Sequence, residues 1–288
     1  MTNKSRFYIV ESSIKSYFID SEIKVFSESE LNSILEEKRT FWNLPISMNI
    51  GKFIDKLLIS NILTKKEIVF DKLLSKKERY IISDATIFQV ANSLINKSYL
   101  SHYSAAFILG LTNQIPKTIY ISFEQSKKNV TPSLLQQDAI DSAFSKEQRV
   151  SGATAIYDEY TFLIHNGMYA NRVGVYSLNN ISITNIERTL IDITVRPNYA
   201  GGVASVLDIY RKAIGKISIN KLVAILDKLN FIYPYHQSIG FYLERAGFDI
   251  KKLEVLRARE MPNRFYITYQ IEDKEYDETW KLYYPKGI

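Results

Sequence analysis

The chain has 288 residues, of which 46% are apolar and 13% aromatic, and its formal net charge is +6. This length and apolar content suffice for one large domain or two of ordinary size, and they exclude a disordered chain. The absence of cysteine excludes disulfides, thiolate catalysis and cysteine-ligated zinc. The apolar runs are far shorter than a membrane span, and the start MTNKSR lacks the apolar stretch of a signal peptide. We therefore expect a soluble, cytoplasmic protein with no membrane partner.

Positive charge is concentrated in residues 38–79, which hold ten Lys and Arg against four Asp and Glu, a formal +6. Residues 1–37, in contrast, sum to −3. A local basic surface is the electrostatic feature expected of a nucleic-acid binder. A solvated, lysine-rich face is the alternative, and charge alone favours it. The choice between them depends on the predicted elements.

The first two predicted helices lie before residue 40. The earlier one is a weak pattern around residues 9–20. Ser27 and Glu30 have the spacing of a capping box, and the apolar residues that follow predict a helix ending near Arg39. A turn over residues 41–45 separates it from the next helix.

The third helix has the clearest pattern in this part of the chain. Ser47 is its predicted N-cap, and the helix is expected over residues 47–60. Its apolar positions recur at i, i+3, i+4, i+7 and i+8, which forms a complete buried stripe. The other face carries Asn49, Lys52 and Lys56.

Two short strands are predicted next, at residues 67–70 and 79–83. A lysine-rich connection containing Lys72, Lys76 and Lys77 joins them. Together with the three helices they predict a basic two-stranded hairpin at the end of a helical unit.

Three helices followed by a basic hairpin is the order of a winged helix-turn-helix domain, which we place at residues 1–84. In such a domain the third helix lies in the major groove and the hairpin holds the phosphates. A small helical subdomain with an exposed basic face is the alternative. The residues predicted to contact DNA are Ser47, Asn49, Lys52, Lys56, Lys65, Lys66, Lys76, Lys77 and Arg79.

Residues 85–288 predict a larger, mixed α/β domain, so that the fold class is α+β overall. No long Gly, Ser or Pro linker separates the two domains, and we expect them to lie close together. The predicted elements are helices at 86–96 and 103–109, a strand at 117–123, short strands within 149–183, helices within 184–247, and a terminal hairpin of residues 264–271 and 275–284.

Three stretches, 99–120, 187–203 and 233–248, have an order of aromatic, His, Gly and Pro residues that no fold rule dictates. The motifs are YLSHYSA at 99–105, GLT at 110–112, QIP at 114–116, ERTLID at 187–192, RP at 196–197, YAGG at 199–202, YPYHQ at 233–237, WKLY at 280–283 and PKG at 285–287. In this order they resemble the AbiEi family, the antitoxins and transcriptional regulators of type IV toxin–antitoxin systems used in abortive phage infection.

The resemblance implies a DNA-binding antitoxin that represses its own operon at inverted repeats and counteracts a nucleotidyltransferase-like toxin. Residues 85–288 are then the antitoxin domain. A single winged module covers few base pairs, so we expect a dimer, or two monomers side by side on the operator. The alternative is a protein-binding neutraliser that contacts the toxin directly and has little specific DNA binding. The chain lacks a convincing Gly-Ser followed by a paired Asp-x-Asp, which a nucleotidyltransferase needs to hold its metal ions, so it looks like the regulator and not the toxin, and no enzymatic activity, catalytic residue or cofactor is expected.

Polar residues of the ERTLID motif have a structural explanation. Thr184 and Glu187 repeat the capping-box spacing, and Arg188 and Asp192 are four residues apart, so they can pair on one helix face. A weaker alternative makes Arg188 and Asp192 part of a surface for the toxin or for the DNA-binding domain. Under that alternative, replacing Arg188 abolishes neutralisation but not folding.

The three histidines, His102, His165 and His236, are isolated in sequence. No close pair of metal ligands such as HExxH occurs, so no metal site is expected. We interpret His102 and His236 as structural residues that form hydrogen bonds among tyrosines.

Overall fold

The structure of the protein is a computed structural model that describes residues 6–71, 75–127 and 134–288. Over these residues the chain is a mixed α+β protein with eleven α-helices and three β-sheets. None of the helices in these ranges is long and apolar enough to cross a bilayer.

The N-terminal part consists of three helices and a three-stranded antiparallel sheet of strand order β1-β3-β2. Its core contains Phe7, Phe18, Trp42, Phe53 and Leu57, all of them nearly or fully buried. The elements are α1 (Arg6–Asp20), β1 (Val25–Phe26), α2 (Glu28–Lys38), α3 (Ile50–Ile59), β2 (Thr64–Phe70) and β3 (Ser75–Ile81).

The start of α2 agrees with the prediction, because the Ser27 and Glu30 side chains each bond the backbone N–H of the other residue. The start of α3 does not. Its N-cap is Asn49, whose Oδ1 accepts a hydrogen bond from the Lys52 N–H at 3.0 Å, so Ser47 lies in the preceding turn. The prediction failed because Ser and Asn are both favoured caps and lie two residues apart.

The prediction for the hairpin was also wrong in its strand limits. β3 begins at Ser75, so Lys76 and Lys77 lie within a strand and not at the tip. Lys76 pairs with Val69 and Lys77 with Ile68 across the ladder. Lys72, the other lysine of the predicted connection, lies outside the described residues. The predicted strand limits rested on apolar residues alone. The ladder extends both strands over lysines, which are not typical strand residues and therefore did not indicate them.

The middle part of the chain forms a six-stranded mixed sheet of order β6-β7-β5-β4-β9-β8. β5 pairs with β7 and β4 with β9 in parallel, and the remaining neighbours are antiparallel. The elements are α4 (Ile87–Ser93), β4 (Tyr99–Leu100), α5 (His102–Ile108), β5 (Thr118–Glu124), α6 (Gln137–Phe144), β6 (Thr154–Tyr157), β7 (Tyr160–Gly167), β8 (Val175–Leu178) and β9 (Ile181–Thr184).

The N-terminal sheet packs against this six-stranded sheet. Ile68 and Phe70 of the hairpin share a hydrophobic cluster with Ile121 and Phe162. The N–H of Asp71 also donates to the Thr154 carbonyl at 2.9 Å. One face of the hairpin is therefore covered by the rest of the protein.

The last third of the chain is mainly helical and ends in a small sheet of order β10-β12-β11. The predicted terminal hairpin was partly wrong: β10 pairs with β12 in parallel, and only β11 and β12 are antiparallel neighbours. The elements are α7 (Ile186–Val195), a 3-10 turn (Pro197–Ala200), α8 (Val203–Lys212), α9 (Ile219–Leu229), α10 (Tyr235–Ala246), α11 (Ile250–Arg257), β10 (Phe265–Tyr266), β11 (Lys274–Asp277) and β12 (Leu282–Pro285).

Candidate functional site

Helix α3 presents a polar face opposite its buried stripe. Phe53, Ile54 and Leu57 are buried, whereas Lys52 and Asp55 are exposed. The Lys52 ammonium donates to the Ser47 carbonyl at 3.3 Å. Within the described ranges no carboxylate lies in ion-pair distance of Lys52. The structure thus brings Ser47, Asn49 and Lys52 together at the beginning of α3.

Lys56 lies one turn further along α3 and is half-buried. Its ammonium donates to the Tyr8 hydroxyl at 3.2 Å and stands 4.5 Å from the centre of the Tyr8 ring. The contact fixes the direction of the Lys56 side chain without neutralising its charge, because a tyrosine hydroxyl and ring are uncharged.

The lysines on one face of the hairpin are paired with glutamates. Lys65 lies 2.9 Å from Glu78, and Lys76 lies 2.5 Å from Glu67 and 3.3 Å from Glu78. Hydrogen bonds from Lys65 and Lys76 lower the pKa of Glu78 below its ordinary value. Two lysines and two glutamates leave this face with no net charge.

The other basic residues of the hairpin lie on its second face. Lys66 is 3.6 Å from the carboxylate of Asp158 in the loop between β6 and β7, and Lys77 is half-buried. Lys66 and Lys77 were both predicted to contact DNA, yet the face of the hairpin that carries them is turned toward the six-stranded sheet.

Arg79 makes a structural contact in place of the predicted phosphate contact. Its Nη2 donates to the Ser93 carbonyl at 2.6 Å, and its Nε donates to the same carbonyl at 3.2 Å. Its Nη1 donates to the Glu78 carbonyl at 2.7 Å. The guanidinium therefore binds the C-terminal carbonyls of α4 and connects this helix to the hairpin, and we omit Arg79 from the DNA-contacting set.

Arg188 and Asp192 form the expected i,i+4 ion pair, with Arg188 Nε 2.7 Å from Asp192 Oδ1. Both residues are only 7% exposed, however, so the alternative of a toxin-binding surface at these residues does not fit their position. Burial raises the pKa of Asp192, and the charge of Arg188 acts in the opposite direction. Arg188 also donates to the Val173 carbonyl at 2.8 Å.

Asn185, and not Thr184, is the N-cap of α7, because its side chain accepts from the Arg188 N–H. Glu187 therefore does not complete the predicted capping box. Its carboxylate instead lies 2.9 Å from the Lys221 ammonium and accepts from the Ser218 N–H at 3.3 Å. It thereby connects α7 to the start of α9.

A small pocket of about 50 Å³ lies next to the Arg188–Asp192 pair. Sheet register places a row of polar residues on its wall, since Tyr99 pairs with Ser122 and Ser122 with His165 across β4, β5 and β7. His102 and Arg196 complete the polar lining. His102 has a φ of 52°, in the left-handed region that residues other than glycine seldom adopt.

Both histidines of this pocket are neutral at pH 7. Burial lowers the pKa of His102 well below its ordinary value. Burial, with a further contribution from Arg196 and Arg188, lowers the pKa of His165 to about 4. His236 lies elsewhere, on α10. No group of three or more His, Asp or Glu in the described part of the chain could hold a metal ion.

The fold is similar to that of a mycobacterial protein of known structure. The match is to the crystal structure of the Rv2827c protein from Mycobacterium tuberculosis, with a TM-score of 0.54 and 14% sequence identity. It covers 96% of this chain and 91% of that chain. At this identity the likeness shows the fold alone. No protein-family model and no curated protein matches the sequence.

Sequence reasoning missed the pocket because its residues are far apart in the chain. His102 and His165 each appeared isolated. Ser122 and His165 become neighbours only through the parallel pairing of β5 with β7. A parallel pair is joined by a long crossover, and its register leaves no local signal in the sequence. The motifs at 99–105 and 187–192 did indicate part of the pocket, since both contribute residues to its lining.

Proposed function

We propose that residues 6–81 form a winged helix-turn-helix unit that binds double-stranded DNA. The observation that carries the proposal is the element order α1-β1-α2-α3-β2-β3 with the sheet order β1-β3-β2. In a helix-turn-helix the recognition helix enters the major groove and its first residues contact the bases. Here that helix is α3.

The charges on α3 support this assignment. Lys52 is exposed without an acidic partner in the described residues, and Lys56 keeps its charge beside the Tyr8 hydroxyl. Asn49 lies at the helix N-terminus, where a side chain reaches the base edges first. Lysines that approach phosphates release counterions, which is the main source of affinity for DNA.

The wider role rests on the sequence resemblance to AbiEi antitoxins. In this role the chain represses its own operon by binding inverted repeats, with two copies on the operator. Residues 85–288 then counteract a nucleotidyltransferase-like toxin in the cytoplasm. We assign no enzymatic activity and no cofactor to the chain.

A gel shift with the DNA upstream of the protein's own gene tests the DNA-binding proposal. Replacing Lys52 and Lys56 by Glu should weaken binding by at least about 100-fold, because two phosphate or base contacts become repulsive. The matched control replaces Lys251 and Lys252, which are exposed on α11, by Glu. Equal losses in the two double variants would refute the assignment of α3.

A second measurement separates repression from direct neutralisation. The purified product of the neighbouring gene is mixed with the wild-type chain and with the Lys52→Glu, Lys56→Glu variant. Loss of operator binding in the variant together with a retained complex shows that toxin contact is independent of the DNA-binding face. A stable complex combined with no specific operator binding by the wild type favours the protein-binding neutraliser.

A further inference from the structure

The hydroxyl groups of Ser101 and Ser122 connect His102 to His165 through three consecutive hydrogen bonds. Ser101 Oγ lies 2.8 Å from His102 Nδ1 and 2.7 Å from Ser122 Oγ. Ser122 Oγ in turn lies 3.3 Å from His165 Nδ1. Both serines are buried, and within the described residues neither hydroxyl has a partner outside this chain of bonds.

Counting hydrogens fixes the tautomers of the two histidines relative to each other. Each of the three bonds needs one hydrogen, and each serine hydroxyl supplies one. The third hydrogen must come from the Nδ1 of one histidine, and the Nδ1 of the other must accept. If both Nδ1 atoms carried hydrogen, a buried serine hydroxyl would be left without an acceptor, which is unfavourable.

The two Nε2 atoms are therefore complementary. Both imidazoles are neutral at pH 7 because burial lowers their pKa, so each ring carries one hydrogen. The histidine with hydrogen on Nδ1 has a bare Nε2 that accepts, and the other has an Nε2–H that donates. The ring centres are 5.4 Å apart, and neither Nε2 forms a hydrogen bond in the part of the chain that the structure describes.

The pocket also carries uncompensated positive charge. Asp192 neutralises Arg188, whereas Arg196 has no carboxylate in ion-pair distance among the described residues. Arg196 uses Nη1 to donate to the Arg149 carbonyl at 2.7 Å, and its guanidinium lies 5.2 Å from the centre of the Tyr199 ring; its remaining N–H groups form no hydrogen bond in the same residues.

We propose that this pocket binds a small oxyanion that itself carries a hydroxyl hydrogen, namely hydrogen phosphate or the singly protonated monoanion of a phosphomonoester, which is the minor form at pH 7. The P–OH group donates to the bare Nε2, and an anionic oxygen accepts from the Nε2–H of the other histidine and from Arg196. A volume of about 50 Å³ admits a phosphate group and little more. Met168 lines the pocket and is 46% exposed, so an ester substituent can leave the pocket on that side.

Titration calorimetry of the full chain with three anions at pH 7 and constant ionic strength tests the proposal. The probes are inorganic phosphate, methyl phosphate and sulfate. Sulfate has the same shape and at least as much charge but no hydrogen to donate at this pH. We expect saturable binding of inorganic phosphate and at least tenfold weaker binding of sulfate. Binding of methyl phosphate as well extends the ligand to phosphomonoesters, and its failure to bind restricts the ligand to the free anion; both results support the site.

Variants separate this site from non-specific anion binding. His165→Phe and Arg196→Gln should each raise the dissociation constant for phosphate at least tenfold. His236→Phe, which removes a histidine outside the pocket, should leave it unchanged. No heat of binding with phosphate, equal affinity for sulfate, or an equal effect of His236→Phe would each overturn the proposal.

The tautomers provide a readout that does not depend on a ligand. With three histidines in the chain, the His236→Phe variant separates the two pocket imidazoles from His236 in long-range ¹H–¹⁵N spectra, and His165→Phe then distinguishes the two. We expect one ring of the pocket with hydrogen on Nδ1 and the other with hydrogen on Nε2. Two rings of the same tautomer in the folded wild type would contradict the hydrogen count on which the proposal depends.

Discussion

Lys52 in the N-terminal part and Arg188 in the remainder of the chain have different surroundings. Lys52 on α3 is exposed and has no acidic partner within the described residues, whereas Arg188 on α7 is buried and bonded to Asp192 and the Val173 carbonyl. Both are basic residues near the start of an amphipathic helix. Because burial decides whether a cation can meet a ligand, a basic residue in the sequence does not by itself mark an interface.

The largest effect that the comparison predicts is the destabilisation caused by Arg188→Ala. Removing Arg188 leaves the carboxylate of Asp192 buried and unpaired, which should lower the free energy of unfolding by about 3–5 kcal/mol. Urea denaturation of the wild type and the variant measures this change in the free energy of unfolding. The matched control is Arg211→Ala, which breaks the exposed ion pair with Asp208 on α8 and should cost less than about 1 kcal/mol. Similar losses in the two variants would mean that the burial of Arg188 is not decisive.

Mild acid should also destabilise residues 85–288 more than the N-terminal part, because all three histidines lie in residues 85–288. The folded chain keeps His165 neutral, its pKa being lowered to about 4, whereas the unfolded chain binds a proton at the ordinary value. The free energy of unfolding is therefore at its full value above the ordinary histidine pKa, and it decreases as the pH falls from there toward 4.

The expected slope is at most about 1.4 kcal/mol per pH unit for each histidine. Urea midpoints at pH 7 and pH 5, for the wild type and for His165→Phe, measure this dependence. The wild type should lose more stability than the variant over this interval. An equal loss in both would show that His165 does not titrate as the pKa indicates.

Arg79→Ala tests whether a cation of the basic segment is structural. Loss of the guanidinium removes two hydrogen bonds from the Ser93 carbonyl and one from the Glu78 carbonyl, and stability should fall by about 1–3 kcal/mol. Operator affinity should change no more than in Lys77→Ala, which removes the neighbouring cation on the same face. If Arg79→Ala weakened DNA binding far more than Lys77→Ala at equal stability, Arg79 would belong to the interface.

The smallest predicted effect concerns the neutralised face of the hairpin. Glu78→Gln removes an acidic partner that Lys65 and Lys76 share, and operator binding should strengthen by about two- to fivefold, because this face of the hairpin then carries a net positive charge that attracts the phosphates. Glu254→Gln on α11 removes an exposed, ion-paired carboxylate far along the chain and serves as control. No gain relative to this control would show that the hairpin lies outside the reach of DNA.

Local patterns predicted local structure well. The Ser27 capping box and the buried stripe of α3 depend on spacings of three and four residues, and both are present. Pairing between distant strands could not be predicted in the same way. No local pattern indicates that β10 lies parallel to β12, because the two strands are separated along the chain by β11.

The same difference between local spacing and distant contacts decides which parts of the candidate sites could be predicted. The cations of α3 were predictable because an amphipathic helix separates its buried and polar faces by sequence alone. The hydrogen bonds of Arg79 could not be predicted, since they depend on the position of the C-terminal end of α4. Likewise, the histidine pocket requires the row of Tyr99, Ser122 and His165 across three strands.

The salt dependence of operator binding tests most directly the central claim that α3, and not the hairpin, carries the DNA-contacting lysines. Operator affinities are measured over a range of salt concentrations for two double variants. The α3 variant carries Lys52→Gln and Lys56→Gln, and the hairpin variant carries Lys65→Gln and Lys76→Gln. The slope of log affinity against log salt should fall by about 0.9 for each phosphate that a variant no longer neutralises. We predict a decrease approaching about 2 for the α3 variant and little change for the hairpin variant. An equal or larger decrease for the hairpin variant would contradict the assignment of α3.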